Sequence, residues 1–216
     1  MKLLITLFLL TLTANHAIAE EIDPIPELKE YDVEIIIFED AHARYLSSQT
    51  WSQAIQNAEE INIAESTAEP IKANPANFKS IEPSILNAKY KRVSASSEYN
   101  ILFYGSWRQA GLDKEQAFEI DINDLKNNHT SQSENILSGK FKLILTRYLH
   151  IYSDLEYLRK QTSTPENTLE NIEISDEVHP LKNHRRMRSK ELHYIDHPLV
   201  GILVQINPVD KIEDKL

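Results

Sequence analysis

The sequence predicts an α+β domain, in which an antiparallel or mixed sheet of about five or six strands is covered by one main helix. Three observations lead to this class. Apolar and polar residues alternate in several separate stretches, helical spacing marks a stripe within 80–97, and long polar connections separate the periodic segments. A split βαβ-like arrangement is the preferred topology. The composition, 41% hydrophobic and 26% charged, is that of a chain that buries a core.

The first nineteen residues predict a secretory signal peptide. Met1–Lys2 supplies a positive start, Leu3–Leu12 is an apolar run too short for a membrane span, and Ala17–Ala19 is an A-x-A cleavage motif. We expect cleavage after Ala19 and export. No later apolar run approaches a span, so no stable membrane span is expected after cleavage. Residues 20–30 hold two prolines and predict an extended lead-in to one domain over 31–216.

The first half of that domain predicts one strand and the main helix. Tyr31–Phe38 alternates as a strand does, and the helix is expected within Ser80–Ser97, with Ser80 as its cap and Pro83 in its first turn. Between them, 40–79 is a polar loop. Within this loop, a capping-box pattern makes a short helix over Trp51–Glu60 plausible.

The second half predicts strands. Asn100–Gln109 and Phe118–Asn123 both alternate, and they are expected to pair as a hairpin. Lys140–Tyr152 reads as the longest strand, with its apolar face interrupted by Arg147. A second polar loop is expected at 160–178, and two further strands follow at Leu181–Arg188 and Leu199–Val209.

Composition excludes several functions. The chain has 23 Lys and Arg against 33 Asp and Glu, a formal charge of −10, which argues against binding to nucleic acid. It has no cysteine, so thiol nucleophiles, thiolate zinc sites and iron–sulfur clusters are excluded. With 4 glycines and no GxGxxG, Walker or GxSxG pattern, phosphate-cradling loops and nucleophile elbows are not expected.

One segment, His184–Pro198, concentrates cations on this acidic chain. Its arginines fit pairing with nearby acids, or an exposed patch that binds anions. Its histidines leave two further readings open, a metal site from His193, Asp196 and His197, or a His–Asp acid–base pair. Pro198 and the β pattern argue against the helix that the metal spacing needs.

We expect an exposed binding surface. The residues chosen for anions are Arg185, Arg186, Arg188 and His193, and those chosen for stacking on sugars are Trp107 and Tyr194, with Arg108 on the rim beside the indole. Arg147, within an apolar face, is expected to be paired or to lie at a rim.

The run from Arg185 to Ile206 resembles the C-terminal signature of the CsiV family, exported peptidoglycan-binding proteins of Gram-negative bacteria. Tyr31–Phe38, Trp107–Gln109 and Arg147–His150 match the family in the same order. At Lys190 the chain departs from the family, whose members often carry a small turn residue such as glycine there. This departure bears on the tightness of that turn.

The resemblance implies a periplasmic protein that binds peptidoglycan and supports a class A penicillin-binding protein, with no enzymatic activity and no cofactor. We also expect no metal site. The resemblance supplies no catalytic or binding residues, so the seven site residues above rest on physical reasoning. Two alternatives stay open: a pure protein-interaction adaptor whose acidic loops meet a basic partner, and a His/Asp metallohydrolase.

Overall fold

The computed structural model describes residues 28–42, 71–74, 76–131, 133–160 and 176–210. The predicted signal peptide, the lead-in as far as residue 27, the short helix at 51–60 and most of both polar loops lie outside these described residues. In the described part of the chain, no helix has the length and apolarity needed to cross a membrane.

The described residues form two antiparallel sheets and one helix, which confirms the α+β class. A five-stranded sheet has the order β2-β3-β1-β9-β8, and a four-stranded sheet has the order β4-β5-β6-β7. The helix α1 spans Asn87–Ser94, and a 3₁₀ turn spans Ile122–Asp124. The strands are β1 (Glu30–Asp40), β2 (Phe78–Ile81), β3 (Tyr99–Ala110), β4 (Glu119–Asp121), β5 (Ile136–Leu145), β6 (Leu149–Arg159), β7 (Glu177–Met187), β8 (Leu192–Asp196) and β9 (Val200–Pro208).

The two sheets pack face to face around the main core. Val33, Ile35 and Ile37 on one face of β1 join the buried residues of β5, β6 and β9 in a single apolar cluster. The opposite face of the five-stranded sheet carries Ile36 and Tyr104, which pack with Leu86 beneath α1. The molecule therefore has three layers, and the outer face of the four-stranded sheet is left without a covering helix among the described elements.

Glu34, in β1, fixes the start of α1 through hydrogen bonds. Its buried carboxylate accepts hydrogen bonds from the backbone N–H groups of Ser84, Ile85 and Leu86 at 2.7–2.9 Å, and from the Tyr104 hydroxyl at 3.0 Å. Burial, followed by the adjacent Glu34, raises the pKa of Tyr104. A carboxylate here also suits the positive end of the helix dipole.

The predicted helix start is wrong because this buried carboxylate takes over the role of a cap. Ser80 belongs to β2, and Pro83 precedes the helix, whose N-cap is Leu86 with no side-chain hydrogen bond. The helix is consequently shorter than the predicted span. Ser80 instead uses its hydroxyl to accept from the backbone N–H of Lys126 at 3.1 Å.

The topology also differs from the expected one. The described residues form nine strands rather than five or six. The described helix joins β2 to β3, which are antiparallel neighbours, and not two parallel strands with a third between them, so the described residues contain no split βαβ unit. The predicted hairpin of 100–109 with 118–123 is wrong, because β4 pairs with β5 in the other sheet. The packing of the two sheets decides which strands pair. Local alternation of apolar and polar residues carries no information about this packing.

The predicted long strand at Lys140–Tyr152 is a tight hairpin of β5 and β6. Leu145 pairs with Leu149, and Thr146, Arg147 and Tyr148 form the turn between them. Because the paired residues are four positions apart, the turn preserves the two-residue period and leaves the apolar pattern unbroken. The charge of Arg147 within that pattern marks the turn itself.

A second turn joins β7 to β8 and contains the family departure. Lys190 adopts φ 68°, the left-handed region that glycine occupies at least cost, and its N–H donates to the Ile206 carbonyl at 2.8 Å. The turn therefore closes with lysine at this position, at the expense of local backbone strain.

Candidate functional site

The outer face of the four-stranded sheet, which no described helix covers, carries a band of cationic and aromatic side chains. Antiparallel register pairs His150 with Arg186 and Tyr152 with His184, and side chains paired in this way lie on the same face. Leu149, Ile151 and Met187, which alternate with them along the two strands, point into the core. We call this surface the basic face, and its residues are Lys142, Arg147, Tyr148, His150, Tyr152, His184 and Arg186.

Arg186 lies over the ring of Tyr148 at one end of the basic face. Its Cζ is 4.8 Å from the ring centre, and the Cζ of Arg147 is 5.7 Å from the same centre. Both arginines and the tyrosine are exposed. Among the described residues, no carboxylate forms an ion pair with Arg147 or Arg186. Their guanidinium groups are therefore available to an anion, with cation–π contact holding Arg186 in place.

Next to this pair, three rings stack in a ladder. The rings of Tyr152 and His184 have centroids 4.2 Å apart and an interplanar angle of 6°, and the ring of His150 stacks on the other histidine at 5.2 Å. Nδ1 of His150 and Nε2 of His184 are 2.9 Å apart, so one of these nitrogens donates its hydrogen to the other. Burial and then His150 lower the pKa of His184.

The three arginines predicted as one cluster point in different directions. Arg186 belongs to the basic face, whereas Arg185 lies on the other side of β7 at the edge of the sandwich, where its charge acts on His193. Arg188 lies in the turn after β7 and forms an exposed pair with Glu191, with Nη1 and Oε1 3.7 Å apart. Strand alternation separates Arg185 from Arg186 because neighbours in a strand face opposite ways.

His193 is largely enclosed between the edge strands β7 and β8. Burial and then Arg185 lower its pKa, while Glu191, 3.9 Å away from Nε2, acts in the opposite direction. Its segment is a strand, which places Asp196 on the opposite side of β8 from His193. The metal arrangement of these residues with His197 is therefore wrong, and the described residues contain no group of three or more such ligands that could hold a metal ion.

Trp107 is a core residue. Its side chain is completely buried, its Nε1 donates to Gln109 Oε1 at 2.7 Å, and its ring is 5.9 Å from that of Phe141. The prediction that Trp107 stacks on a sugar is wrong, because stacking requires an exposed indole. Arg108 beside it donates to both oxygens of Asp32, at 2.7 and 2.9 Å, and this pairing raises its pKa.

Tyr194 is exposed, but it lies on the helix side of the five-stranded sheet, away from the basic face. Its hydroxyl donates to Asp196 Oδ1 at 2.8 Å, and burial together with this carboxylate raises its pKa to about 12. Phe38 and Tyr99 lie next to it. Of the seven predicted residues, the structure therefore brings only Arg186 to the basic face.

Sequence reasoning did not choose most residues of the basic face. A signal was present, because His150, Tyr152, His184 and Arg186 alternate with apolar or inward residues, but the pairing of β6 with β7 was needed to bring them together. Tyr148 lies in a turn that alternation does not detect, and its only signal was its place in the segment Arg147–His150 that resembles the family.

A cavity of about 250 Å³ lies at the other end of the sandwich, between β3, the 3₁₀ turn and β5. Its apolar walls include Phe103 and Leu137, and asparagine amides line its mouth. The Nδ2 of Asn135 donates to the buried carboxylate of Glu39 at 2.8 Å, and the Tyr157 hydroxyl donates to the same oxygen at 2.7 Å. The Asn135 amide therefore links the ends of β1 and β6.

Comparison with known proteins identifies one family model that matches the chain. A family model described as "Peptidoglycan-binding protein, CsiV" matches residues 2–209, nearly the whole chain. No curated protein and no solved structure matches the chain. The protein belongs to the CsiV family of peptidoglycan-binding proteins.

Proposed function

We propose that this protein binds peptidoglycan in the cell envelope without catalysing a reaction, and that the basic face is its contact surface. The description of the family supports the ligand. The observation that carries the choice of surface is the exposed pair of Arg147 and Arg186 around Tyr148, with no internal acid among the described residues to neutralise them.

Peptidoglycan presents carboxylates on its peptides and apolar faces on its sugar rings. A guanidinium group holds a carboxylate with two parallel hydrogen bonds, and Arg186 is kept in a fixed position for this by the ring of Tyr148. Lys142, on the strand beside Tyr152, adds a third cation to the same surface. The stacked rings of Tyr152 and His184 make the area between these cations flat.

Sedimentation with purified sacculi tests this proposal. We expect the mature protein to pellet at low salt, and Arg147→Ala/Arg186→Ala to stay in the supernatant, because exposed cation contacts are weakened when charge is lost. Lys91→Ala/Arg92→Ala, which removes two exposed charges from α1, is the matched control and should pellet normally. Wild-type protein in the supernatant would refute peptidoglycan binding, and equal pelleting of both variants would refute the basic face.

We further propose that the protein supports a class A penicillin-binding protein in the periplasm, as the family resemblance implies. Co-purification with such a synthase tests the association. An adaptor that recognises only protein would co-purify in a salt-sensitive way and fail to pellet with sacculi. A cleavable signal peptide over residues 1–19 is removed on export, so the mass of the periplasmic protein should correspond to a chain that starts at Glu20.

A further inference from the structure

An exposed aromatic cluster lies beside α1 on the helix side of the five-stranded sheet. Tyr99 and Tyr194 are 41% and 48% exposed, and both contact Phe38, with ring centroids 5.0 and 6.4 Å from it. The rings of Tyr194 and Phe38 are nearly parallel, at 8°. We call this surface the tyrosine platform, and its residues are Phe38, Asp40, Tyr99, Tyr194, Asp196 and Gly201.

Gly201 forms the floor under two of these rings. A Cβ built there would lie 3.0 Å from Cε2 of Tyr194 and would collide with Cζ of Phe38. Only glycine therefore lets both rings lie close against β9. Tyr194 is therefore packed against β9 and parallel to Phe38, while about half of its surface stays exposed.

Carboxylates border the platform. Asp196 accepts from the Tyr194 hydroxyl, and Asp40, which pairs with Tyr99 across β1 and β3, accepts from the backbone N–H of His42. Each carboxylate has further acceptor capacity for hydroxyl groups. Two acids beside exposed rings disfavour an anionic ligand and suit a neutral ring that carries hydroxyl donors on its edge and C–H groups on its face.

We propose that the tyrosine platform binds the neutral sugar rings of a glycan strand by stacking, with Asp40 and Asp196 accepting hydroxyl hydrogen bonds. This inference rests on the proposed function and divides it between two surfaces. The basic face takes the charged peptide part of peptidoglycan, and the platform takes the uncharged amino-sugar part. The two surfaces lie on different sheets, so each has its own ligand chemistry.

The test uses a hexamer of β-1,4-linked N-acetylglucosamine, which carries neither peptide nor carboxylate, titrated into the full-length mature protein by calorimetry. We expect Tyr99→Ala/Tyr194→Ala to bind the hexamer roughly tenfold more weakly. Tyr99→Phe/Tyr194→Phe keeps the rings and should retain most of the affinity. Tyr148→Ala, on the basic face, is the matched control and should bind the hexamer as the wild type does.

The possible failures are distinct. If the wild type pellets with sacculi but does not bind the hexamer, the platform inference is wrong and the proposed function stands. Unchanged affinity in the double alanine variant would also overturn the inference. If that variant loses co-purification with the synthase and keeps the hexamer, the platform is a protein-docking surface instead. Gly201→Ala, checked for folding by thermal unfolding, should weaken hexamer binding because it displaces both rings.

Discussion

Glu34 and Arg186 are both charged residues within strands, yet they have opposite roles in this protein. Glu34 is fully buried and its carboxylate accepts four hydrogen bonds, three of them from the backbone that leads into α1. Arg186 is exposed and contacts only a tyrosine ring among its described interactions. The comparison teaches that a charge in a strand is structural or functional according to whether its partners lie inside the molecule.

The largest effect is expected from Glu34→Ala. Removing the carboxylate leaves the buried N–H of Leu86, the buried hydroxyl of Tyr104 and two partly buried N–H groups without their acceptor. A buried donor left unpaired costs about 1–3 kcal/mol, so we expect a loss of roughly 3 kcal/mol or more in the free energy of unfolding. Urea denaturation measures it. Arg186→Ala is the matched control and should cost less than about 1 kcal/mol. Similar losses of unfolding free energy in the two variants would show that Arg186 also has a structural role.

Trp107 extends the comparison to an aromatic side chain. We expect Trp107→Phe to lower the free energy of unfolding by about 1–3 kcal/mol, because it leaves space in the core and removes the donor to the buried Gln109 amide. Pelleting with sacculi should stay unchanged, as measured beside the denaturation curve. A stable variant that no longer pellets would show that the indole contributes to binding.

The smallest expected effect is a pH dependence of stability that comes from His184 on the basic face. The pKa of His184 is lowered in the folded protein from its ordinary value of 6.5, so the unfolded chain takes up more protons as the pH falls. Stability contributed by the neutral ring is therefore present above about pH 6.5 and is lost below it.

We expect His184→Gln to lose less stability than the wild type between pH 7.5 and 5.5, as followed by thermal unfolding. His129, His193 and His197 also have lowered pKa values and remain in both proteins, so the difference between the two curves reports His184 together with its hydrogen-bond partner His150. Parallel curves would show that this ring is protonated without penalty in the folded state.

Local patterns located several elements of the fold and missed others. Alternation located the segments that became β1, β3, β7 and β9, because one face of each strand is buried in a sheet. The hairpin of β5 and β6 was missed because its turn keeps the period of two. The start of α1 was missed because its cap comes from Glu34, about fifty residues away in the chain.

The candidate site depended on long-range contacts to a greater degree. Arg186 was found from its position in a basic run, but that run also contains Arg185 and Arg188, which a strand edge and a turn direct elsewhere. His150 and Tyr152 acquire their partners only through the pairing of β6 with β7. No local rule assigns Trp107 to the core and Tyr194 to the surface, since both are aromatic residues in strands.

The amino-acid sequence by itself determined the α+β class, most strand segments and the family, because these depend on short-range periodicity and on the order of residues. Tertiary structure alone decided which sheet each strand joined, which charges were neutralised inside, and which rings faced outward. Those outcomes depend on contacts between residues far apart in the chain, where burial removes a side chain from water and leaves its neighbour in the strand exposed.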